Sequence, residues 1–335
     1  MTITAPDVST SAGLLRLGNA FCDAKALLTA VELDLFTSLA EGPATQEEIR
    51  ERLKLHGRGL SDFLHLLAAL GVLVKEGERF GNASGADRYL VRGRPSYIGG
   101  FMMRSNRNLY PAWGKLSDAL RTGEPQSGGS FEQVLAQPHI LRQFIGMMDA
   151  LTQQLAPELV DVYPWSEHAS LLDVGGCRGN LAAHLVKAHP EVAGHVFDLP
   201  AMEPFFDEHI GGLGLAGKVQ FHGGDFFADP LPPADVVVLG HVLHDWDSQQ
   251  RGFLVGKAFG AVNPGGALLV YDRMLDDDPR HVENLVISLD MLLVTEGGSE
   301  YPVSELRAHA EAAGFTSVTE RPLGDYDTLM VCRKP

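Results

Sequence analysis

One short segment, residues 171–180, constrains the fold of this chain more than any other. An apolar run that includes Asp173 leads into Gly-Gly-Cys-Arg-Gly at residues 175–179, and apolar positions then recur at helical spacing from Leu181. This pattern predicts a strand, a tight turn and a helix. Glycines in such a turn let a ligand approach the backbone closely, and the free amides of the helix N-terminus favour ligand oxygens. Because turns also use glycine for purely steric reasons, the segment alone leaves the function open.

A second acid follows at the spacing expected of a nucleotide-binding unit. Residues 194–200 read as a strand containing Asp198, about 25 residues beyond Asp173, where a carboxylate can accept hydrogen bonds from both hydroxyls of a ribose. Apolar runs at residues 219–221 and 235–240 predict two further strands, and the second leads directly into a histidine-containing motif. Strands that alternate with helices predict an α/β domain with a mostly parallel sheet, which binds ligands at the carboxyl ends of its strands.

The C-terminal region predicts a different kind of strand pairing. Residues 315–320 and 328–332 read as two strands, and the linker between them contains Pro322-Leu323-Gly324. A linker this short cannot hold a crossover helix, so the two strands must pair antiparallel. A parallel sheet with an antiparallel terminal hairpin argues against dinucleotide dehydrogenases, which share only the first unit.

Taken together, these motifs resemble the S-adenosylmethionine-dependent small-molecule O-methyltransferases, which include the plant caffeic acid type and bacterial antibiotic-tailoring enzymes. The most specific element is His-Asp-Trp-Asp at residues 244–247, directly after the fourth strand. The other motifs occur in the family's order: the Gly-rich loop, Asp-Leu-Pro at 198–200, Gly-Gly-Asp-Phe-Phe at 223–227, the strand at 267–272 and Gly-Gly-Ser-Glu at 297–300. The resemblance covers nearly the whole chain.

The resemblance implies a Rossmann-like methyltransferase domain, with a mostly parallel seven-stranded sheet and an antiparallel C-terminal hairpin, preceded by a mainly helical winged-helix-like dimerisation domain. We expect the dimerisation domain at residues 1–95, a helical linker and substrate-pocket region at 96–168, and the catalytic domain that binds S-adenosylmethionine at 169–335. Residues 96–165 read as helical, with loops at residues 123–130 and at Pro138. A long helix is expected to begin after Asp247, with Gln250 completing a capping box, and to end at residues 263–266.

The N-terminal residues carry their own patterns. Residues 12–40 show a wide apolar stripe, interrupted near residues 32–34, which we expect to be buried against other helices, including those of a second subunit. Thr45 and Glu48 form the capping-box pattern of a short helix. A second helix is predicted at residues 59–70, followed by a hairpin at 71–80 with Glu76-Gly77 at its turn.

Helix, helix and hairpin also describe the winged helix of DNA-binding regulators. Four basic residues could contact phosphates there, but four acids are interleaved with them and no basic face results: Arg50, Arg52, Lys54 and Arg58 against Glu47, Glu48, Glu51 and Asp62. A net charge of -16, from 27 basic and 43 acidic residues, further argues against nucleic acid and anionic membranes as partners. Dimerisation is the role that the resemblance implies for this module, and it requires no basic face; DNA binding is the alternative.

The sequence also indicates a cellular compartment. No apolar run approaches the roughly 20 residues that span a bilayer, and residues 1–11 lack the pattern of a signal peptide. Cys22, Cys177 and Cys332 are widely separated and lack metal-ligand spacing. We therefore expect a cytoplasmic protein without a disulfide framework.

His244 is the candidate catalytic base. It has the only side chain in its motif that titrates near neutral pH, and the resemblance places the family's base at this position. Asp272 and Glu300 are implied to orient it, although plant members have Glu at the Asp272 position, so its direct contact with His244 is in doubt. Two alternatives stay open: His241 and His244 are structural residues of a turn, or they bind a metal with the two acids.

The resemblance also implies the ligand-binding residues. Cys177 and Gly240 depart from the family, which has Gly at the first position and a cofactor-contacting Lys at the second. The implied cofactor contacts are Asp173, Gly175, Gly176, Cys177, Asp198, Leu199, Gly224, Asp225, Phe226, Phe227, Gly240 and Trp246. The implied substrate contacts, several of which also suit an ordinary core, are Phe144, Met148, Asp245, Met291 and Thr295.

These patterns predict a homodimeric O-methyltransferase. We expect it to use S-adenosylmethionine, without a metal, to methylate a phenolic or other aromatic hydroxyl of a small molecule in secondary metabolism, such as antibiotic or polyketide biosynthesis. Methyl transfer to carbon or nitrogen is one alternative. A cofactor-binding protein that has lost catalysis, which Cys177 would suit, and a winged-helix regulator are the others.

Overall fold

The computed structural model describes residues 7–94, 96–127 and 131–335, and the chain divides into two compact units. The first unit extends to Pro111 and combines helices with a small antiparallel sheet of order β1-β3-β2. Its strands are Ala44–Thr45 (β1), Leu73–Glu76 (β2) and Arg79–Asn82 (β3). Its helices are Ser11–Gly18 (α1), Ala20–Glu32 (α2), Leu35–Ser38 (α3), Gln46–Arg52 (α4), Leu60–Ala69 (α5), Ser84–Tyr89 (α6) and Gly99–Arg104 (α7), followed by a π-helical turn, Ser105–Leu109.

The predicted capping box and hairpin are both present in this unit. The Glu48 amide donates to Thr45 Oγ1 at 3.3 Å, and the Thr45 amide donates to Glu48 Oε2 at 2.7 Å. The predicted turn was wrong by one residue: Glu76 pairs with Arg79, so the loop is Gly77-Glu78. Gly77 has a φ of 58°, and a positive φ at the first loop position is what tight hairpins require.

We expect Thr45→Ala to lower the free energy of unfolding by about 0.5–2 kcal/mol, because the Glu48 amide at the start of α4 loses its acceptor, Thr45 Oγ1. Glu51→Ala, at an exposed position of the same helix, is the control and should change it by less than about 0.5 kcal/mol. Chemical denaturation monitored by circular dichroism measures both. Equal effects of the two substitutions would contradict a stabilising role for the capping box.

The second unit, Ala112–Pro335, is built on a seven-stranded sheet of order β6-β5-β4-β7-β8-β10-β9. Its strands are Ser170–Val174 (β4), Ala193–Asp198 (β5), Val219–Gly223 (β6), Ala234–Gly240 (β7), Val262–Asp272 (β8), Ser317–Leu323 (β9) and Asp327–Arg333 (β10). Every neighbouring pair is parallel except the two that involve β10. The predicted parallel sheet with an antiparallel C-terminal hairpin is therefore confirmed.

Two strand boundaries differ from the sequence prediction. Strand β8 begins at Val262 rather than at residue 267, and its pairing with β7 shifts register near Ala234, which the apolar run alone could not indicate. Strand β9 continues through Pro322 to Leu323. Proline is tolerated there because β9 is an edge strand, where a missing N–H need not break a ladder.

Helices cover both faces of this sheet. They are Leu116–Thr122 (α9), Phe131–Leu135 (α10), Pro138–Val162 (α11), Asn180–Ala188 (α12), Glu203–Gly212 (α13), Ser248–Ala261 (α14), Val282–Val294 (α15) and Val303–Ala313 (α16), after a short helix, Tyr110–Trp113 (α8), at the boundary between the units. Single 3₁₀ turns are formed by Trp165–Glu167, Pro200–Met202 and Leu243–Asp245. Among the described residues, none of these helices combines the length and apolar character needed to cross a bilayer.

Two helix predictions have different outcomes. The capping box of Asp247 and Gln250 is present at the start of α14. The loop predicted at Pro138 was wrong, because Pro138 is the first residue of the 25-residue helix α11, a position where proline's missing N–H costs nothing. The other predicted loop, at residues 123–130, lies partly outside the described residues.

The core shows why the strands read as continuous apolar runs. Leu171 and Leu269 face one layer of helices, whereas Leu172 and Leu268 face the other, and all four are fully buried. A parallel sheet covered on both faces needs apolar residues at successive positions. This arrangement brings the carboxyl ends of β4, β5, β7 and β8 to one edge of the sheet, together with the first residue of the reversed strand β10.

Candidate active site

His244, Asp272 and Glu300 meet at this edge of the sheet. His244 lies in the 3₁₀ turn after β7, Asp272 is the last residue of β8, and Glu300 follows α15. His244 Nδ1 lies 2.8 Å from Glu300 Oε1 and 3.7 Å from Asp272 Oδ1. Glu300 is thus the hydrogen-bond partner of the imidazole, and Asp272 acts on it through charge across a longer distance.

The hydrogen bond to Glu300 determines which ring nitrogen is available for chemistry. We assign the Nδ1 proton to the contact with Glu300, because a carboxylate can only accept a hydrogen bond. In the neutral ring, Nε2 then carries the lone pair. Asp245 Oδ1 lies 3.8 Å from Nε2, on a side chain that is 47% exposed.

Asp272 is held from its other side by a residue that the sequence analysis missed. The Tyr301 hydroxyl donates to Asp272 Oδ2 at 2.5 Å, and both side chains are buried. Asp272 Oδ1 and Glu300 Oε2 have no hydrogen-bond partner among the described residues. Two buried carboxylates therefore direct unsatisfied negative charge toward one imidazole.

The pKa of His244 reflects a competition between burial and these charges. Burial alone lowers the pKa, but Asp272 and Glu300 together outweigh it and raise the pKa of His244 to about 10. Burial raises the pKa of Asp272 to about 7, while the His244 cation opposes that rise. The site therefore favours a protonated imidazole, so a proton accepted by His244 is stabilised.

The Gly-rich loop forms the second part of the site. The Cys177 amide donates to Asp198 Oδ2 at 2.7 Å, and the Leu199 amide donates to Asp198 Oδ1 at 2.7 Å. A Cβ at Gly176 would lie 2.5 Å from Asp173 Oδ2, so this glycine allows the close approach of loop and carboxylate. Cys177 has a φ of 54°, a conformation that suits the glycine found at this position in the resembling family.

Two acids beside this loop are suited to a ligand that donates hydrogen bonds. Burial raises the pKa of Asp173 to about 7, and the charge of Asp198 adds to the rise. Burial likewise raises the pKa of Asp198 to about 6, although two backbone amides oppose it. Asp173 Oδ2 is buried without a partner among the described residues. Hydroxyl and ammonium groups would satisfy these carboxylates, and S-adenosylmethionine carries both.

An aromatic cluster lies beyond the loop. Phe226, Phe227 and Trp246 pack edge to face, with ring centroids 4.6–5.8 Å apart. Trp246 Nε1 is buried and has no partner among the described residues. Asp225 is exposed, and its Oδ1 accepts a hydrogen bond from the Phe227 amide at 2.8 Å. Flat rings beside an unsatisfied N–H suit a heteroaromatic ligand such as adenine.

Glycines at two other predicted cofactor positions are required by packing. A Cβ at Gly224 would lie 2.6 Å from the Phe197 ring, and a Cβ at Gly240 would lie 2.0 Å from the Tyr271 ring. Tyr271 therefore fills the space beside Gly240.

The predicted substrate residues lie on three segments. Phe144 and Met148 are half-buried on α11, Met291 is buried on α15, and Asp245 follows the base. Thr295 also has a structural role: its hydroxyl donates to the Met291 carbonyl at 2.7 Å and accepts from the Gly298 amide at 2.8 Å. It thereby closes the turn that leads to Glu300.

Among residues 7–94, 96–127 and 131–335, no group of three or more His, Cys, Asp or Glu side chains has a geometry that could hold a metal ion. His241, which the metal hypothesis placed with His244, pairs with Asp327.

Sequence reasoning also missed a buried arginine. Arg251 donates to Glu305 at 2.9 Å and to the Trp246 carbonyl, and its guanidinium stacks on the Tyr301 ring at 4.7 Å. Arg251 therefore links Trp246, in the segment after His244, to Tyr301, which donates to Asp272. Its position four residues after the capping residue Asp247 gave no signal, because such an arginine usually faces solvent.

Comparisons with known proteins identify the family of this chain. The O-methyltransferase domain family matches residues 113–316, and the O-methyltransferase dimerisation domain matches residues 15–92. The tetracenomycin polyketide synthesis 8-O-methyl transferase TcmO of Streptomyces glaucescens is 47% identical over 96% of this chain and 96% of its own. The N,N-dimethyltransferase OxyT of Streptomyces rimosus is 41% identical over 98% of each chain.

A solved structure extends the comparison. The human N-acetylserotonin methyltransferase, in complex with S-adenosylmethionine, has a TM-score of 0.88 and 26% identity, over 100% of this chain and 99% of its own. The fold and the family resemblance predicted from the sequence are thus confirmed. The chain belongs to the O-methyltransferase family, with the family's dimerisation domain ahead of its O-methyltransferase domain.

Proposed function

We propose that this enzyme transfers a methyl group from S-adenosylmethionine to a phenolic hydroxyl of a polycyclic aromatic molecule of the polyketide type, with His244 as the general base. The observation that carries the proposal is the His244 imidazole, whose Nδ1 is held by Glu300 at 2.8 Å beside the buried Asp272. The similarity to a polyketide 8-O-methyl transferase supports the substrate class.

The cofactor and the site residues have separate roles in methyl transfer. S-adenosylmethionine supplies an electrophilic methyl group on a sulfonium, which is already a good leaving group. The protein must align the acceptor oxygen with that methyl and remove its proton, because a neutral phenol attacks poorly. His244 Nε2 takes the proton, and Glu300 and Asp272 stabilise the imidazolium that results.

The raised pKa of His244 suits this reaction. A phenol has a pKa near 10, so proton transfer to an ordinary histidine of pKa about 6.5 would be uphill by more than three pKa units. The raised pKa of His244 makes this proton transfer less costly in free energy. Only a small fraction of His244 is neutral at pH 7, and a bound sulfonium cation in the same site would enlarge that fraction by lowering the pKa.

The cofactor assignment has a binding test of its own. Asp198→Asn should weaken S-adenosylhomocysteine binding by about 10-fold or more, because a charged acceptor for the ribose hydroxyls is lost. Since the pKa of Asp198 is about 6, wild-type affinity should fall as the pH drops through that value. Isothermal titration calorimetry measures both effects. Asp207→Asn, at an exposed position on α13, is the control, and equal affinity in the two variants would refute the role of Asp198.

We also propose that the first unit forms a homodimer through α1. No residue of α1 is buried, and its large apolar side chains are more than half exposed: Leu14 at 56%, Leu15 at 68% and Leu17 at 54%. Phe21, on α2, is 55% exposed. An apolar surface of this kind in a dimerisation domain marks a subunit contact.

Leu15→Glu should convert this dimer to monomers, because a charge would have to be buried in the contact. Sedimentation velocity at micromolar concentration measures the change. Arg16→Gln is the control and should leave the dimer intact, because helical geometry places this exposed position about 100° or more around α1 from Leu14, Leu15 and Leu17. A wild-type protein that sediments as a monomer would contradict the proposal.

Methyl transfer to nitrogen is a second candidate, because a relative 41% identical to this chain is an N,N-dimethyltransferase. Incubation of the enzyme with S-adenosylmethionine and matched pairs of phenols and aromatic amines separates the two. Mass spectrometry with fragmentation locates the new methyl group. Methylated phenols support the main proposal, methylated amines alone support the second, and no product from either set overturns both.

A further inference from the structure

A second histidine and carboxylate pair lies directly beside the base. His241 Nε2 lies 2.6 Å from Asp327 Oδ1, and the two side chains are only 10% and 6% exposed. His241 has a φ of 53°, a left-handed conformation that residues with a Cβ rarely adopt. Its amide donates to the Tyr271 carbonyl at 2.9 Å, which fixes this backbone at the end of β7.

The pair spans the end of strand β8. In the sheet, β8 lies between β7 and β10, and Asp272 at its end is paired with Thr328, the residue after Asp327. His241 therefore reaches from β7 across the end of β8 to the first residue of β10. The buried Asn284 secures this part of β10, because its side-chain amide donates to the carbonyls of Tyr326 and Met274 at 3.1 Å each.

The His241 ring lies almost parallel to the ring of the base. The two imidazole planes differ by 14°, with centroids 5.8 Å apart. The Tyr271 ring packs edge-on against His241, with centroids 5.2 Å apart and planes at 79°. The titratable groups around His241 are thus His244, Tyr271, Asp272 and Asp327, one or more from each strand that meets it.

We propose that His241, held by Asp327, is a positioning residue that fixes the plane of the His244 ring. This inference rests on the proposed function of His244. The single hydrogen bond from Nδ1 to Glu300 fixes one point of the ring and leaves it able to tilt about that contact. A flat, buried ring alongside it restricts the tilt, so that Nε2 keeps one direction.

The strained backbone supports this role. An extended or helical φ at residue 241 would direct the side chain elsewhere, so the left-handed φ is what places the ring beside His244 and Tyr271. Sparsely populated backbone conformations persist where surrounding contacts hold them, and they cluster at functional sites. Here the hydrogen bond to Asp327 and the two ring contacts hold the conformation.

The test compares substitutions that separate the ring from the hydrogen bond. His241→Ala removes both, whereas His241→Phe keeps a flat ring without the hydrogen bond to Asp327. We expect kcat to fall about 10-fold or more in His241→Ala, with S-adenosylhomocysteine affinity unchanged, because small misplacements of a base are costly. His241→Phe should recover kcat to within about 3-fold of wild type. Both variants lose the pair with Asp327, so their thermal stability should fall to the same extent.

His195→Ala is the matched control, because His195 also forms a half-buried pair, with His222 at 3.0 Å, on β5 and β6. Its kcat should stay within about 2-fold of wild type. A His241→Ala enzyme within 2-fold of wild type, or equal kcat losses in His241→Ala and His241→Phe, would overturn the inference. If His241→Ala does not fold, His241→Asn decides, because asparagine tolerates a left-handed φ but lacks the ring. A kcat within 2-fold of wild type in that variant would overturn the inference as well. Wild-type protein that methylates no acceptor would refute the proposed function instead.

Discussion

His244→Ala should reduce kcat by about 10² to 10⁴-fold on a phenol that is un-ionised at neutral pH, because general bases contribute this much to rates. Cofactor affinity should be unchanged, since the contacts assigned to the cofactor lie on the Gly-rich loop, Asp198 and the aromatic cluster. Steady-state kinetics with a methylated-product assay measure the loss. Calorimetry with S-adenosylhomocysteine checks that binding survives.

The pH dependence of kcat provides a second test of His244 as the base. Wild-type kcat should rise with pH as the imidazole becomes neutral, and because the pKa of His244 is about 10 the rise should extend well above neutrality. That limb should be absent in His244→Ala. A more acidic phenol, already ionised at pH 7, should be far less sensitive to the substitution. Near wild-type turnover of an un-ionised phenol by His244→Ala, with chemistry rate-limiting, would show that alignment alone suffices.

Glu300→Gln should reduce kcat by about 10 to 100-fold, whereas Asp272→Asn should reduce it only a few-fold. The reason is the difference in distance, since Glu300 Oε1 lies 2.8 Å from His244 Nδ1 and Asp272 Oδ1 lies 3.7 Å away. Glutamine still accepts a hydrogen bond, but it no longer stabilises the imidazolium by charge. Each substitution removes one anion that raises the pKa of His244, so in both variants the rising limb should move to lower pH.

The two variants control for each other, because each removes one buried charge from the same site. Kinetics between about pH 6 and pH 10 with one phenol provide both the plateau and the midpoint. If Asp272→Asn lost more activity than Glu300→Gln, the hydrogen bond to Glu300 would not be what orients the base. A limb that moved to higher pH would contradict the charge argument.

Most of the fold could be predicted from the sequence, because its elements have local signals. The strands around Leu172 and Val237 are apolar on both faces, and the capping residues Thr45 and Asp247 mark where helices begin. The position of His244 at the end of a strand was also predictable from its motif. Such signals depend on neighbours in the chain, so one sequence is enough to interpret them.

Contacts between distant segments could not be predicted in the same way. Tyr301 donates to Asp272, and His241 pairs with Asp327. In both pairs the two residues are far apart in the sequence. The shorter side chain of Asp272 raised doubt about its contact with the base. The 3.7 Å between Asp272 Oδ1 and His244 Nδ1 is longer than a hydrogen bond, so no direct hydrogen bond joins them. The prediction of the hairpin turn was wrong by one residue because Glu76-Gly77 and Gly77-Glu78 both suit a tight turn.

Strand β10 has a consequence for the order in which the site is assembled. Because it runs opposite to its neighbours, its beginning rather than its end reaches the edge where His244 and Asp272 lie. During synthesis the other strands that contribute side chains here, β4, β5, β7 and β8, leave the ribosome first. Pairing of β10 with β8 then closes a contact between distant parts of the chain, which is a slow kind of folding step. Asp327 is therefore the last of these polar groups to arrive, and a folding intermediate with every other strand in place would still have His241 without its partner.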